Sequence, residues 1–175
     1  MGCNAPFSFM PTYDSARSKI KSGDLLAWTH KEWGSWYNFQ VQMVRMFTRS
    51  EYSHVGIAYV VADRVFVLES VVGGIRQTPL STMVPFYWLP LSDYWNDDVL
   101  KAAMSKLGQQ YSKWDGFKSL WKKIKPGTDN NWECAEYAQF ILQQGKFPID
   151  VRNIPGEVVD WVQTNSDAAL YTVTP

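Results

Sequence analysis

The sequence predicts one α+β domain in which an antiparallel sheet or small barrel packs against helices. Three observations predict it. Residues 54–89 hold most of the extended, β-branched segments, helix-period segments flank them, and no repeat, low-complexity stretch or polar linker divides the chain. The 175 residues allow a single full-sized domain, and a 46% apolar share with nine each of Trp, Tyr and Phe supplies its core.

Residues 1–21 read as an irregular lead with room for one short helix, because Pro6 and Pro11 interrupt its start. Gly23-Asp24 then turns the chain into a strand at 25–29. Across 36–47, Phe39, Gln40, Met43, Val44 and Phe47 recur at helical spacing, which predicts a mostly buried helix ended by Arg49-Ser50-Glu51. The period changes at His54. Strands at 54–61 and 65–69 are joined by a connection too short for a parallel crossover, so they are antiparallel neighbours. Gly73-Gly74 supplies a turn into a further extended segment at 75–79.

Pro85 and Pro90 bracket the next strand, at 84–89, and predict that it is shortened or at a sheet edge. Asp97 or Asp98 caps a helix running to Lys106 or Leu107, with Gly108 in its closing turn. Residues 114–124 are a weaker helical candidate, stopped by Pro126-Gly127. Asn130 or Asn131 caps a helix over 132–144 that Gly145 and Pro148 close, and a short helix over 157–161 follows Pro155. The expected organisation is a lead at 1–21, a domain at 22–163 and a tail at 164–175.

Charge narrows the functional classes. Seventeen basic residues balance seventeen acidic ones, which argues against broad electrostatic capture of nucleic acid. The basic run at 118–125, interrupted by Leu120, Trp121 and Ile124, reads as the solvated side of a helix; its alternative is transient contact with an anionic group or membrane surface. Gly2 invites a lipidation reading, but Pro6 stands where that motif needs Ser or Thr. With no export signal and no uncharged stretch long enough to span a bilayer, the expected setting is soluble and intracellular, cytoplasmic in the simplest case. Cys3 and Cys134 form no CxxC pair, and two free thiols are more economical than a disulfide to the N-terminal lead.

Cys134 falls in the first turn of its predicted helix, where free amide hydrogens favour a thiolate and can hold an oxyanion. The same position on an apolar helix face also suits plain packing. Of the two histidines, His54 opens an apolar strand at the rim of the sheet, a natural place for a general base, whereas His30 lies in a predicted loop. A hairpin centred near residue 62 brings positions near His54 and Glu69 opposite each other, so that the carboxylate can fix the tautomer of the imidazole.

These segments, Gly23-Asp24-Leu25-Leu26, Ser53-His54-Val55-Gly56-Ile57, Val67-Leu68-Glu69-Ser70 and Cys134-Ala135-Glu136, resemble in order and placement the permuted NlpC/P60 superfamily, in particular its YiiX-like papain-fold cysteine hydrolases. The resemblance spans about 22–163 and implies a circularly permuted papain-like fold. It also implies a Cys134, His54 and Glu69 triad, with histidine ahead of cysteine in the chain. Ala135 departs from the serine common after the family's cysteine, and Gly108-Gln109-Gln110-Tyr111 matches its glycine and aromatic segment. Tyr111 is thereby a candidate pocket residue, as is Asp24, for which turn capping is the competing role. Trp33, Trp36 and Tyr37 are candidates for an acyl-binding groove or for the core.

The expected activity is hydrolysis of an amide, peptide or lipid acyl bond through a thioester, with no cofactor and no metal. An acyltransferase using the same residues and a noncatalytic binding protein are the alternatives.

Overall fold

The computed structural model describes residues 10–29, 51–71, 73–109 and 133–175. Six strands form one sheet: β1 Leu25–Thr29, β2 Tyr52–Val61, β3 Arg64–Val71, β4 Gly74–Pro79, β5 Phe86–Leu89 and β6 Tyr171–Val173. Their order is β4-β3-β2-β1-β5-β6, and each neighbouring pair is antiparallel. The helices are α1 Tyr13–Arg17, α2 Asp97–Met104, α3 Cys134–Gln144 and α4 Pro155–Asn165.

The β2–β3 hairpin is set by its turn. Ala62 and Asp63 both take positive φ, 46° and 60°, the backbone shape whose twist suits a two-residue hairpin connection. That turn fixes the register from Val61↔Arg64 to Ile57↔Leu68. Strand alternation then divides the core. Leu25, Ala27, Val55, Ile57, Leu68 and Leu89 pack under Ala138, Ile141 and Leu142 of α3 and Val158 and Val162 of α4. Leu26, Trp28, Ala58, Val67, Phe86 and Trp88 pack on the opposite side with Ala16, Ile20, Leu80 and Met83. Because both sides of β1 are covered, its first four residues are all buried and the strand shows no apolar and polar alternation.

Several boundaries differ from the sequence expectation. β5 is shortened but lies inside the sheet, because Pro85 and Pro90 fall outside its ends and β6 pairs with its free side. β6 itself comes from residues expected to be a tail, and Tyr13 of the expected lead donates its amide to Thr174 O at 2.8 Å. The described part of the expected lead and the expected tail are thus both joined to the sheet. Asn96, rather than Asp97 or Asp98, caps α2: its Oδ1 accepts from the amides of Asp98 (3.0 Å) and Val99 (3.1 Å). The helix ends at Met104, and Gly108, at φ 81°, completes the following turn and donates to Ile75 O at 2.9 Å. α4 is longer than expected, with Pro155 inside its first turn. The helix expected at 36–47 and the candidate at 114–124 lie outside the described residues.

Asp24 ties the start of β1 to the far end of β5. Its Oδ2 accepts from the Lys21 amide (2.9 Å) and the Trp88 indole (2.8 Å), and its Oδ1 from the Leu91 amide (2.8 Å). Burial pushes its carboxyl above the ordinary aspartate value, and these donors pull against that rise. Asp24→Ala leaves the Trp88 indole and the Leu91 amide unpaired in the interior, each costing about 1–3 kcal/mol, and also releases the part-buried Lys21 amide. The expected outcome is a urea midpoint lowered by the equivalent of about 3 kcal/mol or more with an unchanged slope; an unaltered midpoint would remove Asp24 from its anchoring role.

Candidate active site

His54 stands opposite Trp28 on the β1–β2 ladder, at a break in register where Trp28↔His54 is followed by Thr29↔Tyr52. The extra residue is Ser53, whose hydroxyl donates to Trp28 O at 3.2 Å. Such a bulge re-aims the adjacent side chain. The Trp28 indole is fully buried, is anchored by its Nε1 donating to Met83 O at 2.7 Å, and forms a wall beside the imidazole with ring centroids 5.4 Å apart.

The Nε2 of His54 lies 2.6 Å from Glu69 Oε2. The route to this contact differs from direct opposition across the hairpin. Continuing the observed β2–β3 register places Gly56, not His54, across from Glu69, so the imidazole reaches the carboxylate along the diagonal. Gly56 makes that possible. A Cβ at this position would fall 2.5 Å from Val67 Cγ2 and 3.0 Å from Leu68 O, so any side chain would force the two strands apart.

The other oxygen of Glu69 is held from β4. Oε1 accepts from Arg76 Nε at 2.9 Å and from Thr78 Oγ1 at 2.7 Å. Arg76 is the direct ladder partner of Glu69, and Thr78 stands one step along on the same face, opposite Val67. Burial alone would raise the Glu69 carboxyl, but the bonds and charges of His54, Thr78 and Arg76 hold it down at about 2. For His54, burial pulls the ring down, yet hydrogen bonds and charge interactions with Cys134 and Glu69 overcome it and raise the ring to about 10. Both shifts favour the pair in its charged form, an imidazolium facing a carboxylate.

Cys134 also acts on that ring, its side chain being among the causes that raise the imidazole. With Nε2 committed to Glu69, Nδ1 is the ring nitrogen left for another partner. Cys134 is partly exposed and opens α3. The helix begins at Cys134 and is capped by Glu133, in place of the expected cap at Asn130 or Asn131, through a capping box in which the Glu136 carboxylate accepts from the Glu133 amide at 3.3 Å. As first-turn residues, Cys134 and Ala135 have amides with no acceptor inside the helix. A cysteine at a helix start and a histidine bonded to a buried carboxylate are side chains that nucleophilic attack and proton transfer can use.

Asp24 does not join this group: its backbone pairs with Ala58, four residues along β2 from His54, or about 13 Å at strand rise. Tyr111, Trp33, Trp36 and Tyr37 lie outside the described residues, as do His30, Cys3 and the basic run at 118–125. Arg76, Thr78, Gly56 and Trp28 were not singled out by sequence reasoning. The Gly73-Gly74 turn was the available signal for the first two: mirroring Glu69 through it points at Thr78, and the observed Val71↔Gly74 pairing, centred one residue earlier, puts Arg76 directly opposite.

No family model matches the chain, and no curated protein matches it. Among solved structures it is similar to the metalloprotein YiiX of Escherichia coli O157:H7, a DUF1105 protein, with a TM-score of 0.54 and 19% identity over 72% of this chain. The match covers 66% of that protein, just under two thirds of its length. The α+β fold, a multistranded antiparallel sheet packed against helices, is thus related to that of YiiX. No helix among the described residues is long and apolar enough to cross a membrane.

The ion pair gives the stability of the protein a defined pH dependence. Glu69 is held below its ordinary 4.5, so its contribution is complete above 4.5 and is lost as pH falls towards about 2. His54 is raised above its ordinary 6.5, so its contribution is complete below 6.5 and is lost as pH rises through about 10. Both are complete between 4.5 and 6.5. The difference in Tm between the wild type and Glu69→Gln is expected to be widest in that window and to narrow on either side; a difference independent of pH would contradict the pairing.

Proposed function

We propose that this protein is a cysteine-dependent hydrolase of an amide, peptide or lipid acyl bond, working on a circularly permuted papain-like arrangement. The observation that carries the reading is the 2.6 Å contact of His54 Nε2 with the buried Glu69 carboxylate, with Cys134 at the start of α3 acting on the same ring. The order of these residues in the chain, histidine and glutamate ahead of cysteine, agrees with the permuted arrangement that the sequence motifs resemble.

In this reading the Cys134 sulfur, its proton passed to His54, attacks the acyl carbon, and the carbonyl electrons move onto oxygen. The amide of Cys134, free of intrahelical acceptors, donates to that oxyanion. As the tetrahedral species collapses, the bond to the leaving amine or alcohol breaks and protonated His54 delivers its proton to it. Neutral His54 then takes a proton from water as the water oxygen attacks the thioester, the carbon–sulfur bond breaks, and the acid leaves. Glu69 keeps Nε2 oriented and balances the imidazolium throughout.

The YiiX structure is that of a metalloprotein, and the donor set among the described residues does not fit such a centre. Nε2 of His54 and both oxygens of Glu69 already have partners, and among the described residues no three His, Cys, Asp or Glu side chains converge as ligands. No step is assigned to a metal.

A panel of activated esters and amides, followed by release of the leaving group, tests the proposal. On any substrate turned over, Cys134→Ala is expected to fall to background while Cys3→Ser retains wild-type turnover. His54→Ala is expected to lose about 10²–10⁴-fold, the usual worth of a positioned acid and base. Full activity in Cys134→Ala would overturn the mechanism. Product analysis with an added amine acceptor separates hydrolysis from acyl transfer.

A further inference from the structure

We propose that Arg76 is a positioning residue of this site, whose fixed positive charge on Glu69 limits how strongly the carboxylate holds His54 and thereby sets the acid strength of the imidazolium. Its consequence for turnover rests on the catalytic reading of Cys134, His54 and Glu69; its effect on His54 does not.

The geometry supplies more than Glu69 needs for a hydrogen bond. Thr78 already donates to Oε1 at 2.7 Å, so a neutral donor satisfies that oxygen. Arg76 adds a second donor at 2.9 Å to the same atom, and adds a charge. Its side chain is 49% exposed while Glu69 is fully buried, so the guanidinium reaches in from solvent with only its Nε bonded to the carboxylate. The ladder enforces this approach, because Arg76 is directly opposite Glu69 across β3 and β4.

The carboxylate thus lies between two cations, the imidazolium on Oε2 and the guanidinium on Oε1. Guanidinium does not titrate in the range where histidine does, so its pull is constant while His54 gains or loses a proton. A charge-assisted bond at one oxygen draws density away from the other and weakens its hold on the imidazolium. Among the described residues, the groups facing His54 include Cys134 from α3, Glu69 from β3 and the uncharged Trp28 from β1. Those facing Glu69 are His54, Thr78 and Arg76. Removing the Arg76 charge leaves His54 as the one cation bonded to the carboxylate among the described residues, with Thr78 still donating to Oε1, making the imidazolium a weaker acid and slower to protonate a leaving group.

The test is histidine side-chain NMR titration of the full chain without substrate, in wild type, Arg76→Gln and Arg76→Lys. Only two histidines are present, and His30→Gln assigns their signals. The expected result is a His54 pKa raised by on the order of half a unit to one unit in Arg76→Gln, as expected for loss of a nearby charge across partly solvated protein. In Arg76→Lys, which keeps the charge, it stays near wild type. An unchanged or lowered value in Arg76→Gln, or a Lys variant that behaves like Gln, would overturn the proposal. Because the readout needs no substrate, an inactive protein still answers the question. An active enzyme with a flat Arg76 series would reject this proposal and leave the hydrolase reading standing.

Discussion

A carboxylate with no access to water must have its charge answered by its neighbours, and Glu69 is such a carboxylate. Its partners come from two adjoining strands: His54 from β2, and Arg76 and Thr78 from β4. Both ladders must therefore keep their register. A slip of one residue would turn each of these side chains to the other face of the sheet and leave a buried charge unpaired. The tight turn at Ala62-Asp63 and the close approach at Gly56 specify the β2 side, and the direct Glu69↔Arg76 pairing specifies the β4 side. The arrangement of His54, and through it the link to Cys134, follows from those constraints.

Much of the sheet was legible because its signals are local. The change from helical to strand period at His54 and the short Ala62-Asp63-Arg64 connection were enough to place β2 beside β3. β6 was not legible: Tyr171–Val173 is three residues long, too short for alternation to register, and its existence depends on the free side of β5 that it covers. The cap of α3 was misplaced for a related reason. Asn is a better isolated cap than Glu, but the Glu133 and Glu136 pair makes reciprocal bonds that a residue-by-residue preference does not score.

The candidate site was legible in parts. The hairpin brought Glu69 towards His54, but an estimate from the turn placed them face to face, whereas the contact is diagonal and depends on an absent side chain at Gly56. Arg76 and Thr78 went unseen because a lone basic residue and a lone threonine on a strand carry no chemical signal until a buried acid is placed opposite them. Cys134 could be placed at a helix start by its neighbours, but its proximity to His54 joins residues 80 positions apart, which only a tertiary fold or a family resemblance can connect.

The central claim is that Cys134 carries the acyl group during turnover with His54 managing the protons. Acid quench during turnover of an activated acyl ester, followed by peptide mapping by mass spectrometry, examines it directly. The account predicts an acyl group on the peptide containing Cys134 in the wild type, accumulating much more slowly in His54→Ala, and none on Cys3. An acyl group that maps elsewhere, or the same rate of acylation at Cys134 with and without His54, would contradict it.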